Sequence, residues 1–259
     1  MLFIQSKATI VYITSETCWA LQVSIFDLGL VVLVFVLVIF LIGAVELLRR
    51  KLNLGAYTTR RAIHLFAGDS ILFVPLFSSV IYPLLLPIGM GIMTALSFAF
   101  SRQSFLTQSM IDDKRYSRLH AYGPVFYIIS IGVLLLSLWS QRPIIMAATM
   151  VMAWGDGAAS AVTPLLKKRH LYTFSDKSFE GSAMMFIFAF LGALVAYSLA
   201  LYTGIMSASF ISVLGLCVLG AFVGTIAEAL TVGPIRAFDN FTVPFACAIA
   251  LFFVTPLIL

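Results

Sequence analysis

The chain has 259 residues, 61% hydrophobic and only 10% charged, with a mean hydropathy of +1.07, where an ordinary soluble domain carries roughly a quarter charged residues. That composition excludes a soluble globular protein. Cys18, Cys217 and Cys247 lie far apart without a C-x-x-C, so nothing supports a zinc cluster, a disulfide framework or redox chemistry. The apolar runs, for example 31–42 and 128–139, are unbroken, which excludes the alternating strands of a membrane β-barrel.

Residues 1–26 hold Lys7, an apolar stretch interrupted by Ser6, Thr9 and Thr14, and Glu16, without a clear cleavage site or lipid-attachment box. They read as an interfacial or external lead-in to one transmembrane domain over 27–259. The first span is expected at about 28–48, the second at 64–80 and the third at 82–100. The fourth follows at 122–139, the fifth at 143–166 and the sixth at 181–201. Residues 208–230 and 241 to the end complete about eight helices. The expected fold is all-α and polytopic. Gly89, Gly91 and the segment 215–224 offer small-residue faces for helix packing within or between chains, compatible with a homo-oligomer.

Of the sixteen Lys and Arg, fourteen fall in alternate loops and only Lys7 and Arg142 on the other side. By the positive-inside rule those loops are cytoplasmic and both termini are outside. The net charge of +5 is therefore a charged membrane face, not a nucleic-acid footprint.

Glu46, Asp69, Asp156, Glu228 and Asp239 fall within or at the ends of apolar spans, where a carboxylate costs a few kcal/mol and needs a partner or a task. For Glu46 and for Asp69, whose neighbour Gly68 signals a bend, the alternative to a task is a helix–helix ion pair. Asp156 stands between Gly155 and Gly157 in the middle of an apolar run. Glycines there allow the helix to break and other atoms to approach the backbone, and a carboxylate is a natural ligand for Mg²⁺. Lys177-Ser178-Phe179-Glu180-Gly181 supplies a cation, a hydroxyl and a second carboxylate before the sixth span, or simply a capped helix start. Arg60, Arg61 and His64 are spaced to lie along one side of a helix, and two guanidiniums with an imidazole suit a polyphosphate. Asp239 and Asn240 add oxygen ligands, or a helix cap.

All of these groups gather at one membrane face, where a soluble nucleotide and an embedded lipid could meet. Cations, carboxylates and a metal are what phosphoryl transfer requires. No G-x-x-x-x-G-K-[ST] and no protein-kinase signature set occurs.

From Glu46 to Pro244 the chain resembles the polyprenol kinase family, which includes dolichol kinase, phytol kinase and the CTP-dependent diacylglycerol kinases. The matching segments are Glu46 with Arg60-Arg61-Ala62-Ile63-His64, Gly155-Asp156-Gly157-Ala158-Ala159, Lys177-Ser178-Phe179-Glu180-Gly181, and Glu228-Ala229-Leu230 with Asp239-Asn240-Phe241-Thr242-Val243-Pro244. The resemblance implies transfer of the γ-phosphate of CTP, with Mg²⁺ or another divalent cation, to the hydroxyl of a membrane lipid alcohol. Family members commonly carry Arg-Lys at Arg60-Arg61 and further glycines after the Gly-Asp motif, where this chain has Thr163-Pro164.

On that basis Asp156, Glu180 and Asp239 are expected to hold the metal, and Arg60, Arg61 and Lys177 to neutralise the triphosphate. Gly155, Gly157, Ser178, Gly181 and Asn240 are expected to line the nucleotide site, and His64 or a remaining carboxylate to accept the proton of the alcohol. Glu46, Asp69 and Glu228 are further candidates. The alternatives are a cytidylyltransferase that makes a CDP-lipid and a small transporter, the latter disfavoured because the polar groups sit at one face instead of the midplane.

Overall fold

The computed structural model describes residues 24–53, 56–100, 123–175, 177–232 and 238–258. Residues 1–23 of the expected lead-in, the loop around Lys114 and Arg115, and Arg236 lie outside them, while Ile25 and Phe26 already belong to the first helix. Among the described residues the fold is all-helical, with one isolated β-bridge between Leu171 and Ser178.

Helix α1, Ile25–Leu52, is capped by Ser24, whose hydroxyl accepts the Asp27 N–H, and closes on Asn53 at φ 49°, a left-handed position that Asn tolerates. Arg49, Arg50 and Lys51 occupy its last turn, matched to the negative end of the helix dipole. Helix α2, Ala56–Gly68, runs directly into a 3-10 segment, Asp69–Leu76, that contains Pro75. The remaining helices are α3, Ile81–Phe100; α4, Gly123–Leu138; α5, Arg142–Val162; α6, Phe179–Tyr202; α7, Phe210–Leu230; and α8, Asp239–Ile258.

Among the described residues, five stretches are long and apolar enough to cross a membrane: Ile25–Leu52, Gly123–Val162, Phe179–Tyr202, Phe210–Leu230 and Asp239–Ile258. A straight helix over the 40 residues of the second would measure about 60 Å, twice the bilayer core. The 3-10 turn Trp139–Gln141 divides it into α4 and α5. Residues 81–96 form a shorter apolar helix. The expected second span is the main departure. In place of one long helix, α2 stops after 13 residues, at the point where Gly68 is pressed against α5: a Cβ there would stand 2.3 Å from the Ala153 Cβ. The chain continues in the tighter 3-10 coil to Pro75.

Helix α5 is the central post, packed against α2, α4, α6, α7 and α8. Residues 144–153 are each at most 2% exposed, the signature of a helix surrounded on every side. Its closest neighbour is α6, which presents Ala189, Gly192, Ala193 and Ala196, all buried. Outward-facing residues such as Val36 and Phe40 on α1, Phe222 on α7 and Phe253 on α8 are all more than half exposed and form the apolar surface of a multi-pass membrane protein.

A Cβ at position 192 would lie 2.7 Å from the backbone oxygen of Met150, and backbone cannot step aside as a side chain can. Gly192→Ala is expected to destabilise by about 2 kcal/mol, and Gly192→Val by more. Gly215, where a methyl group would meet nothing within 4 Å, supplies the control: Gly215→Ala is expected to hold or raise stability through helix propensity. Thermal unfolding of the purified variants checks both.

At the end of α1 opposite Glu46, Asp27 is 1% exposed and accepts hydrogen bonds from the Ser78 N–H at 3.0 Å and the Ser78 hydroxyl at 2.6 Å. The Ser24 N–H donates to the Tyr82 hydroxyl at 2.8 Å. These contacts fasten the start of α1 to the turn before α3.

Candidate active site

A cavity of about 280 Å³ opens among α1–α8 with two chemically different ends. At the polar end the first turns of α6 and α8 meet the last turns of α5 and α7. Ser178 caps α6 by accepting the Gly181 N–H at 3.2 Å, and Asp239 and Asn240 open α8. Two positive helix ends thus face one space.

Arg61, Arg169 and Lys177 bring cations to its lining, and Asp156, Glu228 and Asp239 bring carboxylates. The Arg61 guanidinium donates to the backbone oxygen of Ser160, which ties α2 to the end of α5. Lys177 reaches across from α6 to α7: its ammonium lies 2.8 Å from Glu228 Oε1 and also donates to the Glu228 backbone oxygen. With 10% and 17% of these side chains exposed, little water screens the pair. His64 lies against the ring of Tyr127, centroids 4.3 Å apart.

The other end of the cavity is apolar. Val34 and Val38 of α1, Val74 and Phe77 of the 3-10 segment and its exit, Pro87 of α3 and Leu135 of α4 line it. The 3-10 coil matters here. It continues α2 in a tighter coil whose Ile71 and Val74 are buried, while His64 and Arg61, one turn apart on α2, line the cavity with the polar groups.

The structure therefore brings together nine of the residues that the sequence points to: Arg61, His64, Asp156, Lys177, Ser178, Gly181, Glu228, Asp239 and Asn240. The side chain of Arg60 lies outside the described ones. Glu180 is drawn elsewhere: its two oxygens sit 2.6 Å from His170 Nδ1 and 2.9 Å from the His170 N–H. Glu46 is buried beneath Arg49 and Arg50, at 2.6 and 2.7 Å. Asp69 Oδ1 accepts the Trp154 indole N–H at 2.7 Å. Gly155 and Gly157 do not break α5, which is continuous through Val162. Their missing side chains admit neighbours instead. A Cβ at 155 would meet Met185 Sδ at 2.6 Å, and one at 157 would meet Leu65 Cβ at 3.2 Å.

Ser160, Thr163, Arg169, Tyr127 and Ser182 also line the cavity, beyond the residues that sequence reasoning selects. Asp156, Ser160 and Thr163 follow at intervals of four and three, one face of a helix, and that spacing is a signal the sequence carries. Arg169 is indistinguishable there from any other positive-inside charge.

A divalent cation fits the donors present in part. Among the described residues no three His, Cys, Asp or Glu side chains converge on one point. Asp156 and Asp239 share the cavity, however, and the Asn240 Oδ1 is buried there without a hydrogen-bond partner. Two carboxylates and an amide oxygen are hard ligands of the kind Mg²⁺ takes alongside substrate phosphates.

Comparison with known proteins finds relatives of one kind. The chain is 27% identical over 228 residues to a probable phytol kinase, chloroplastic, of Triticum aestivum, covering 82% of this chain and 72% of that protein. It is 25% identical over 234 residues to phytol kinase 1, chloroplastic, of Arabidopsis thaliana, covering 87% and 76%. Over most of its length the chain is similar to these two phytol kinases. A phytol kinase of Synechocystis sp. matches at 30% over 156 residues, 59% of this chain and 64% of that protein. The resemblance to the polyprenol kinase family seen in the four motifs is thus borne out across most of the chain. No family model matches, and no solved structure does.

Proposed function

We propose that the chain is a membrane-embedded lipid-alcohol kinase, which transfers the γ-phosphate of CTP to the hydroxyl of an isoprenoid alcohol of the phytol, geranylgeraniol or polyprenol type, or of diacylglycerol. The observation that carries this reading is the two-ended cavity, in which clustered cations and carboxylates continue into an apolar slot. The relatives named phytol kinase support a kinase acting on a lipid alcohol.

Lys177, Arg61 and Arg169 neutralise the triphosphate from three sides, assisted by the positive ends of α6 and α8. Asp156, Asp239 and Asn240 Oδ1 would hold Mg²⁺, which when bound supplies charge neutralisation on the phosphate oxygens. His64, fixed against Tyr127, accepts the proton of the alcohol hydroxyl at the junction of the two ends. The apolar walls hold the tail and exclude water, so phosphate passes to the alcohol and not to solvent. The site faces the cytoplasmic side and both termini lie outside, on the charge asymmetry of the loops. Residues 27–259 act as one domain.

Because Glu180 is engaged by His170, Glu180→Gln is expected to keep kcat within about fivefold of the wild type, well above the loss at Asp156. Steady-state kinetics of the two variants side by side check the difference.

The decisive experiment offers γ-labelled CTP or ATP with Mg²⁺ to the purified protein in nanodiscs, with phytol, geranylgeraniol, a dolichol or diacylglycerol. Label from CTP in one lipid supports the reading and names the substrate. Release of pyrophosphate with a nucleotide-linked lipid overturns it in favour of a cytidylyltransferase.

A further inference from the structure

A second cavity, of about 170 Å³, lies between α1 and the junction of α2 with the 3-10 segment. Its outer walls are Leu37 and Leu41 of α1, Phe66 of α2 and Phe73 of the 3-10 segment. Leu37 and Phe66 are 44% and 47% exposed and belong to the same outward apolar surface as Val36 and Phe40. The cavity therefore opens where the bilayer lies.

It shares a wall with the central cavity. Val34, Val38 and Ser70 line both, so a single layer of short side chains stands between the bilayer face and the candidate active site. The passage has one polar rung, Ser70 with the neighbouring Asp69 carboxylate. A nucleotide arriving from water has no use for an apolar crevice in the membrane plane. A long-chain alcohol already dissolved in lipid reaches the site through it without passing its methylenes through water.

We propose, resting on the kinase reading above, that this crevice is the lateral entrance for the lipid alcohol. The chain slides between α1 and the junction of α2 with the 3-10 segment, hydroxyl leading, and the hydroxyl rests on Ser70 and Asp69 before reaching His64 and Asp156. The 3-10 segment that continues α2 supplies Asp69, Ser70 and Phe73 to its wall.

Two measurements test this. Leu41→Trp fills the crevice from a residue that does not line the central cavity. In nanodiscs, the ratio of kcat/KM for a twenty-carbon isoprenoid alcohol in the bilayer to that for a five-carbon one added from water is expected to fall at least about tenfold. An unchanged ratio overturns the proposal. Independently of turnover, the wild-type protein is irradiated with a twenty-carbon alcohol that carries a diazirine beside its hydroxyl. Adducts on peptides 37–41 and 66–73, competed by unlabelled alcohol and not by added phospholipid, support the entrance. Adducts confined to other helices, or competed equally by phospholipid, overturn it. If the wild-type protein phosphorylates no alcohol of either length, the kinase reading fails, and specifically competed adducts in the crevice still establish the binding site.

Discussion

Replacing Asp156 by asparagine is expected to lower kcat by at least about a thousandfold, equivalent to about 4 kcal/mol of transition-state stabilisation, with little change in thermal unfolding. The substitution keeps shape and removes only charge, in a helix that runs unbroken through the position. Packing around it comes from Gly155 against Met185 and Gly157 against Leu65, neither of which the change touches. Asp156 lines the cavity with Asp239 and Asn240, so its carboxylate is the charge that a divalent cation on the phosphates would lose. A variant that turns over at near the wild-type rate, measured at saturating Mg²⁺ and nucleotide, sinks the assignment.

Lys177→Met is expected to raise the KM for nucleotide at least about tenfold and also to lower stability by about 2 kcal/mol. The two effects have separate origins. The ammonium is one of three cations at the polar end, and it also caps the end of α7 through the Glu228 backbone oxygen while pairing with the Glu228 carboxylate. The double variant Lys177→Met with Glu228→Gln removes the carboxylate charge that has lost its lysine. Most of the stability is expected to return, while the KM for nucleotide stays high. Recovery of both together would make Lys177 a purely structural cation.

Much of the site is legible in the sequence because membrane-depth charges are rare enough to be noticed. Asp156, Lys177, Asp239 and His64 stand out against apolar runs, and the structure gathers them on one cavity. Glu180 misleads for the same reason. Its place beside Lys177 and Ser178 suggests a shared task, but in the first turn of α6 its carboxylate turns to the His170 backbone and ring, a partner ten residues back that no spacing rule selects. The glycines around Asp156 draw attention to a residue that does line the cavity, but with the wrong mechanics, since close packing and helix breaking leave the same signature in a sequence. Hydropathy alone misplaces the second span. Gly68, Asp69 and Pro75 all signal a change of coil, yet the continuous apolar character of 71–77 outweighs them. Asp27 escapes notice because it stands one residue before the apolar run. Its partner, Ser78, is 51 residues away.

The burial of α5 has a consequence for how the protein is made. Residues 144–153 touch no lipid in the finished fold, yet α6, α7 and α8, which wall the helix in, all follow it in the chain. During synthesis the central post is delivered before most of its enclosure. For that interval Asp156 sits in an unshielded segment, at the cost of a few kcal/mol that a carboxylate incurs at membrane depth. Ser178, Asp239 and Asn240, which surround the polar end, arrive only with the last three helices. The nascent chain therefore gains its most favourable contacts late, and a ribosome stalled before α8 would hold a protein whose Asp156 carboxylate has no complete chamber around it.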